Sequence, residues 1–201
     1  MRFVVIAPPA PVVTWEEASD HLRLDGDTSM QTQVEAMISA AQGTLDGPNG
    51  WLGRAIGVQT IEARVDSFGC GSIALPFPPL IEVLSVRYVD GAGVTQTIPS
   101  DQYEMLGTSL VPLFGATWPT PRWQREAVRV RYRAGYDDAS PGNDDDFEDR
   151  TLPAAIRAAI LLMVGDLWRF RTTASDGVST PGVVPMSTTV EALLQSLRVF
   201  R

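Results

Sequence analysis

The chain has 201 residues, is 44% hydrophobic and 20% charged, and carries a net charge of −8 with no lysine among its 16 basic residues. That length buries a core and fits one domain or a domain with an insertion, and the composition is that of a globular protein. The negative balance argues against a protein that coats nucleic acid, because phosphate binding is driven by positive surfaces; the lone cysteine, Cys70, excludes a disulfide within the chain and fits a reducing compartment.

Residues 1–9 begin like a signal peptide, but the apolar run is short and Pro8 and Pro9 break it, so no targeting segment is read there. Thr14 with Glu17 three residues later is a capping-box signature, predicting a short helix over 15–22. A second helix is expected from Thr28 or Ser29. Met30, Val34, Met37, Ile38, Ala41 and Leu45 form its apolar stripe, and Gly47-Pro48-Asn49-Gly50 stops it.

Strand signals follow. Segments 58–68, 72–75, 81–89, 94–98, 103–106, 109–113 and 127–134 are short, rich in Val, Ile and Thr, and separated by turn residues. Asp90-Gly91-Ala92-Gly93 marks a hairpin turn. In 127–134 the alternation sends Val128, Val130 and Tyr132 one way and Arg129, Arg131 and Arg133 the other. This spacing suggests a small sandwich or barrel. A polar stretch over 137–150 contains Asp144, Asp145, Asp146, Glu148 and Asp149. Leu152-Pro153 then opens the main helix, expected to run to about Arg171 with Pro153 in its first turn. A loop rich in Ser, Thr, Gly and Pro is expected over 172–185, and a last helix over 188–197.

The expected fold class is α+β: a small bundle of about four helices with a β-rich insertion between the second and third. Residues 1–50 and 151–201 form the discontinuous helical core and residues 51–150 the insertion. The main helix carries Ile156, Ile160, Leu161, Leu162, Met163, Val164, Leu167 and Trp168, more than one stripe. It is therefore expected to be buried nearly all round, either under the β part or under a neighbouring subunit. No apolar span of about 18 residues predicts a membrane helix.

The residues that carry chemistry are few. His21 is the one histidine. A Cys–His nucleophile pair with Cys70 is the only such pair available; the plainer reading is a turn thiol and a surface histidine. No HExxH, CxxC, GxSxG or P-loop motif occurs. The acidic run at 144–149 offers hard-cation ligands but lacks EF-hand spacing, and a solvated loop is the simpler reading. No catalytic residue, cofactor or metal is expected. Arg129, Arg131 and Arg133, with Arg122 and Arg125 before them, form a solvent face paired with acids, a docking surface for an acidic neighbour, or a weak phosphate contact. Leu197-Arg198-Val199-Phe200-Arg201 reads as a partner anchor or as a tail folded onto its own core.

An ordered set of segments resembles a known family. These are Thr14-Trp15-Glu16-Glu17-Ala18 with His21-Leu22-Arg23-Leu24-Asp25, Trp51-Leu52-Gly53-Arg54-Ala55, Leu75-Pro76 with Pro78-Pro79-Leu80, and Val86-Arg87-Tyr88-Val89-Asp90. Further on come Arg131-Tyr132-Arg133-Ala134-Gly135-Tyr136, Leu152-Pro153-Ala154-Ala155-Ile156-Arg157 with Ala159-Ile160-Leu161-Leu162, and the closing 197–201. Together they resemble the head–tail connector (head-completion or adaptor) proteins of long-tailed phages and the equivalent adaptor of phage-derived gene transfer agents. The resemblance implies a non-enzymatic virion protein at the head–tail junction, assembled in the bacterial cytoplasm. It implies a ring, commonly of twelve subunits, beneath the portal protein, which extends the DNA channel without reading sequence and offers a surface to a tail-side connector or terminator. It implies no membrane partner. In this frame Leu197–Arg201, Leu161, Trp168 and Arg129, Arg131 and Arg133 are the expected contacts with portal or ring neighbours. The chain departs from the family at Asp46-Gly47-Pro48-Asn49-Gly50, where many relatives continue the helix. The alternatives are another virion protein such as a tail terminator, or a hydrolase using Cys70 or an acidic metal site.

Overall fold

The structure, a computed structural model, describes residues 1–69, 71–137, 151–170 and 186–200. Its class is α+β, with antiparallel sheets and four α-helices among the described residues. The chain divides into two compact units. One combines Met1–Ala10 with Arg54–Thr151, the other Pro11–Gly53 with Leu152–Arg201.

The sheet unit holds β1 (Arg2–Ala7), β2 (Gln59–Val65), β3 (Ile73–Ala74), β4 (Leu80–Val89), β5 (Thr95–Ile98), β6 (Tyr103–Leu106), β7 (Ser109–Pro112) and β8 (Val128–Ala134). A five-stranded sheet runs β1-β2-β8-β4-β5 and a three-stranded sheet β3-β7-β6. The expected hairpin at Asp90–Gly93 forms, β4 pairing β5 with Val89 opposite Thr95, and β6 pairs β7 in a second hairpin with Leu106 opposite Ser109. The Asp90 carboxylate fastens the first turn, accepting from Gln96 Nε2 at 2.8 Å and from the Val94 and Ala92 amides at 2.9 and 3.0 Å. Those bonds hold its pKa below the ordinary aspartate value. Val128, Val130 and Tyr132 are fully buried and join Ile61, Ala63, Phe77, Val86 and Leu110 in one apolar core drawn from both sheets. Tyr132 satisfies its hydroxyl by donating to the Pro76 carbonyl at 2.8 Å.

β1 corrects the expectation for residues 1–50. The first ten residues belong to the sheet unit, because Arg2–Ala7 pairs antiparallel with β2. The apolar run Phe3–Ile6 is an edge strand.

In the helical unit, α1 (Trp15–Leu22) is closed by the reciprocal capping box. The Glu17 amide donates to Thr14 Oγ1 at 3.2 Å and the Thr14 amide to Glu17 Oε2 at 2.9 Å. A 3₁₀ turn at Thr28–Met30 leads into α2 (Gln31–Leu45), which ends where a second 3₁₀ turn, Gly47–Asn49, begins. α3 spans Ala154–Arg169 and α4 Thr188–Leu194. Val34, Ile38, Ala41 and Leu45 pack with Ile156, Ala159, Ile160, Val164, Val190 and Leu194 as the buried core of this unit. The Arg157 guanidinium donates to Glu17 Oε1 at 2.6 Å and ties α3 to α1. Gln42 is buried and satisfied, accepting from the Val12 amide at 3.1 Å and donating to Asp46 Oδ2 at 3.0 Å.

Candidate interaction surfaces

The last described residues form a built attachment. After α4 a 3₁₀ turn at Gln195–Leu197 gives way to extended chain. The Val199 amide donates to the Leu52 carbonyl at 2.9 Å. The Arg198 guanidinium lies 4.2 Å from the Trp51 ring centroid and 4.8 Å from that of Phe200, a cation between two aromatic faces. Leu197, Arg198 and Val199 are half-buried against the turn 51–53, while Phe200 is 74% exposed. Of the two readings of the tail, 197–199 follows the folded-back one and Phe200 is left presented. Arg201 lies outside the described residues.

A single chain buries one stripe of α3 and not its whole circumference. Ile156, Ala159, Ile160 and Val164 are its only buried side chains. Leu161, Met163, Leu167 and Trp168 are half-buried, and Leu162 and the following Phe170 are exposed. One stripe of the helix fills the core and the surplus apolar residues border solvent. A cleft of about 340 Å³ lined by Ala36, Met37 and Ala40 of α2 with Leu167 and Phe170 opens on that side.

The arginine face is wider than β8. Register places Arg2 of β1 opposite Arg64 of β2, Arg64 opposite Arg129 of β8, and Arg129 opposite Arg87 of β4. Directly opposed residues share a face, so four arginines form one row across the sheet, about 14 Å long at the usual strand spacing. Arg131 and Arg133 stand further along the same face. The Glu62 carboxylate receives Arg131 at 2.9 Å and Arg64 at 2.8 Å. Burial pushes the Glu62 pKa up, yet the hydrogen bonds from Arg131 and Arg64 outweigh it and leave it below the ordinary glutamate value. Glu126 receives Arg2 at 3.1 Å and Arg64 at 3.2 Å, which lowers its pKa. Glu82 receives Arg133 at 2.8 Å. Arg129 and Arg87 are exposed and directly opposed, and make no ion pair among the described residues. Arg131 and Arg133 are thus paired with acids, and Arg129 is not paired among the described residues.

At the same end of the sheet the segment 113–126 is held firmly. Trp118 stacks on Phe68 with centroids 4.8 Å apart and planes 8° from parallel, and its Nε1 donates to the Gly71 carbonyl at 3.0 Å. The Arg122 amide donates to the Val89 carbonyl at 2.7 Å and the Glu126 amide to Asp66 Oδ1 at 2.8 Å. Phe114 and Trp123 stand fully exposed on this segment, Trp123 between the exposed Arg122 and Arg125.

Sequence reasoning missed Arg2, Arg64, Arg87, Trp51, Phe114 and Trp123. The exposed Trp123 had a local signal in its flanking arginines. The row of arginines had none, since only strand pairing aligns it.

Among the described residues, none that belongs to the two enzyme alternatives is brought into a site. His21 is exposed on α1, and among the described residues no group of three His, Cys, Asp or Glu is placed to hold a metal ion. Cys70 and the acidic residues 144–149 lie outside the described residues. Among the described residues no helix is long and apolar enough to cross a membrane.

No protein-family model and no curated protein matches the chain. Solved structures do. A chain in the virion of a native gene transfer agent (GTA) particle superposes with a TM-score of 0.65 at 20% identity. A chain in the neck of an empty GTA particle, computed with C6 symmetry, gives 0.64 at 20%. A chain in the neck of a native GTA particle, computed with C12 symmetry, gives 0.62 at 19%. Each match covers 100% of this chain and 97% of the other. At such identity the likeness is one of fold: this chain has, from end to end, the fold of chains found in the necks of gene transfer agent particles.

Proposed function

We propose that this protein is a structural adaptor of a tailed-phage-like particle, a virion protein at the head–tail junction. It assembles as a ring of twelve subunits beneath the portal protein, joins head to tail and extends the DNA channel. The single observation that carries this reading is the end-to-end fold likeness to neck chains of gene transfer agent particles. The surfaces fit it. Surplus apolar residues on α3, an exposed Phe200 beside a fastened tail, and fully exposed Phe114 and Trp123 are features of a protein that works through protein contacts. Leu161, Trp168 and Leu197–Arg201 are assigned to contacts with the portal or ring neighbours. A net charge of −8 suits a channel through which DNA slides.

The test is a particle reconstruction that locates this chain, together with particles made without it. The reading expects density between portal and tail, and tailless heads when the chain is absent. Heads that join tails in its absence refute it. For the tail, deletion of Leu197–Arg201 is expected to weaken portal binding; unchanged binding removes that assignment.

A further inference from the structure

We infer that the cationic face of the five-stranded sheet docks the acidic margin of α1 on the next copy, and that this pairing is the subunit contact of the ring; the inference rests on the ring reading above. The first observation is electrostatic. Arg129 and Arg87 oppose each other directly with no ion pair among the described residues, while Arg64, Arg131 and Arg133 each meet a glutamate. Like charges directly opposite destabilise a sheet, and a carboxylate-bearing neighbour removes that repulsion while forming charge-assisted hydrogen bonds.

The second observation is that the complement is present on the same chain. A closed ring is heterologous, so each copy presents two different, mutually fitting surfaces. Among the described residues the sheet unit has nine arginines against eight carboxylates, and the helical unit four against nine. On α1, Glu16 and Asp20 are exposed at positions one turn apart, and Asp25 and Asp27 are exposed just beyond. Glu17 is already engaged by Arg157, whereas Glu16 and Asp20 have no ion pair among the described residues. The third observation is Trp123, fully exposed between two arginines at the Arg129–Arg87 end of the sheet, a residue pair enriched at the energetic centres of interfaces.

The experiment uses particles from cells that carry the chain in altered form. One variant is Arg87→Glu with Arg129→Glu; the other is Glu16→Arg with Asp20→Arg. All four side chains are exposed, and unchanged circular dichroism and melting temperature verify folding. Each variant alone places like charges at every contact and is expected to lower joined particles at least tenfold. Co-expression of the two is expected to restore them to at least half the unaltered level. In an even-numbered ring the variants alternate, and every contact again pairs opposite charges. Normal joining by the Arg87/Arg129 variant alone overturns the inference. So does failure of the mixture to restore joining, in which case weaker low-salt DNA binding by the Arg87/Arg129 variant than by the unaltered protein identifies phosphate as what the face meets. Normal joining with the chain absent altogether defeats the ring reading itself, and is distinguishable from either result.

Discussion

Replacing Gly53 by alanine isolates what the fastening of the C-terminal segment is worth. Gly53 has φ +67, and a Cβ built there overlaps the Val199 carbonyl oxygen. Gly26, in the same unit, has φ +77, and a Cβ there meets nothing within 4 Å. Both substitutions carry the left-handed penalty of about 1 kcal/mol. Only Gly53→Ala also displaces the segment 198–200. That forfeits the Val199–Leu52 hydrogen bond, worth about 1 kcal/mol, and the Arg198–Trp51 contact, worth about 0.5–1 kcal/mol at a half-exposed site. Gly53→Ala is therefore expected to cost about 2.5–3 kcal/mol and Gly26→Ala about 1 kcal/mol, which at this chain length means melting shifts of about 5–12 °C and 2–4 °C. The difference of about 1.5–2 kcal/mol shifts the ratio of fastened to released tail by about 10–30-fold. Native-state carboxypeptidase digestion reads that ratio directly. Equal melting shifts and equal digestion rates for the two variants would refute the reasoning.

Two further outcomes follow from the sheet unit. Glu62→Gln removes the carboxylate that Arg64 and Arg131 share. Because both arginines keep partial solvent access, the expected loss is about 1–2 kcal/mol at neutral pH. The Glu62 pKa is lowered in the folded state, so its contribution is complete above the unfolded value of about 4.3 and is lost as pH falls through the folded value. Urea midpoints measured from pH 7 to pH 3 should therefore draw together for the two proteins as pH falls below about 4.3; a constant gap contradicts this. Trp118→Ala removes the stacking on Phe68 and the bond to Gly71, at an expected cost of about 2–3 kcal/mol for a half-buried indole, with protease nicking appearing within 113–126. A loss under about 0.5 kcal/mol with no new nick counts against the anchoring role.

Local chemistry was legible in the sequence and long-range alignment was not. Thr14 and Glu17 announce α1 because a capping box is made within four residues, and both of its hydrogen bonds form. Asp90–Gly93 announces its hairpin for the same reason, and the alternation from Val128 to Tyr132 gives the buried side of β8. β1 stayed hidden because its side chains are mostly exposed and its partner β2 lies more than fifty residues on, so neither alternation nor a neighbouring turn marks it. The row Arg2, Arg64, Arg129 and Arg87 exists only through register; from Arg129, Arg131 and Arg133 alone the face looks one strand wide. α3 shows a different limit. Its apolar composition was plain, but composition does not say which side is covered, and Leu161 and Trp168 are left half-buried.

The interleaving of the two units sets an order of completion during synthesis. The sheet unit has all of its strands once β8 has left the ribosome, since β1 waits only for β2 and β2 for β8. α1 and α2 emerge early but lack their packing partners until α3 and α4 follow, more than a hundred residues later. A polypeptide broken off between β8 and α3 therefore carries a finished sheet and an unfinished bundle, with Val34, Ile38 and Leu45 uncovered for proteases and chaperones to find. Only a chain that includes α3 and α4 buries the apolar stripe of α2, so quality control can tell stunted copies from complete ones by that stripe.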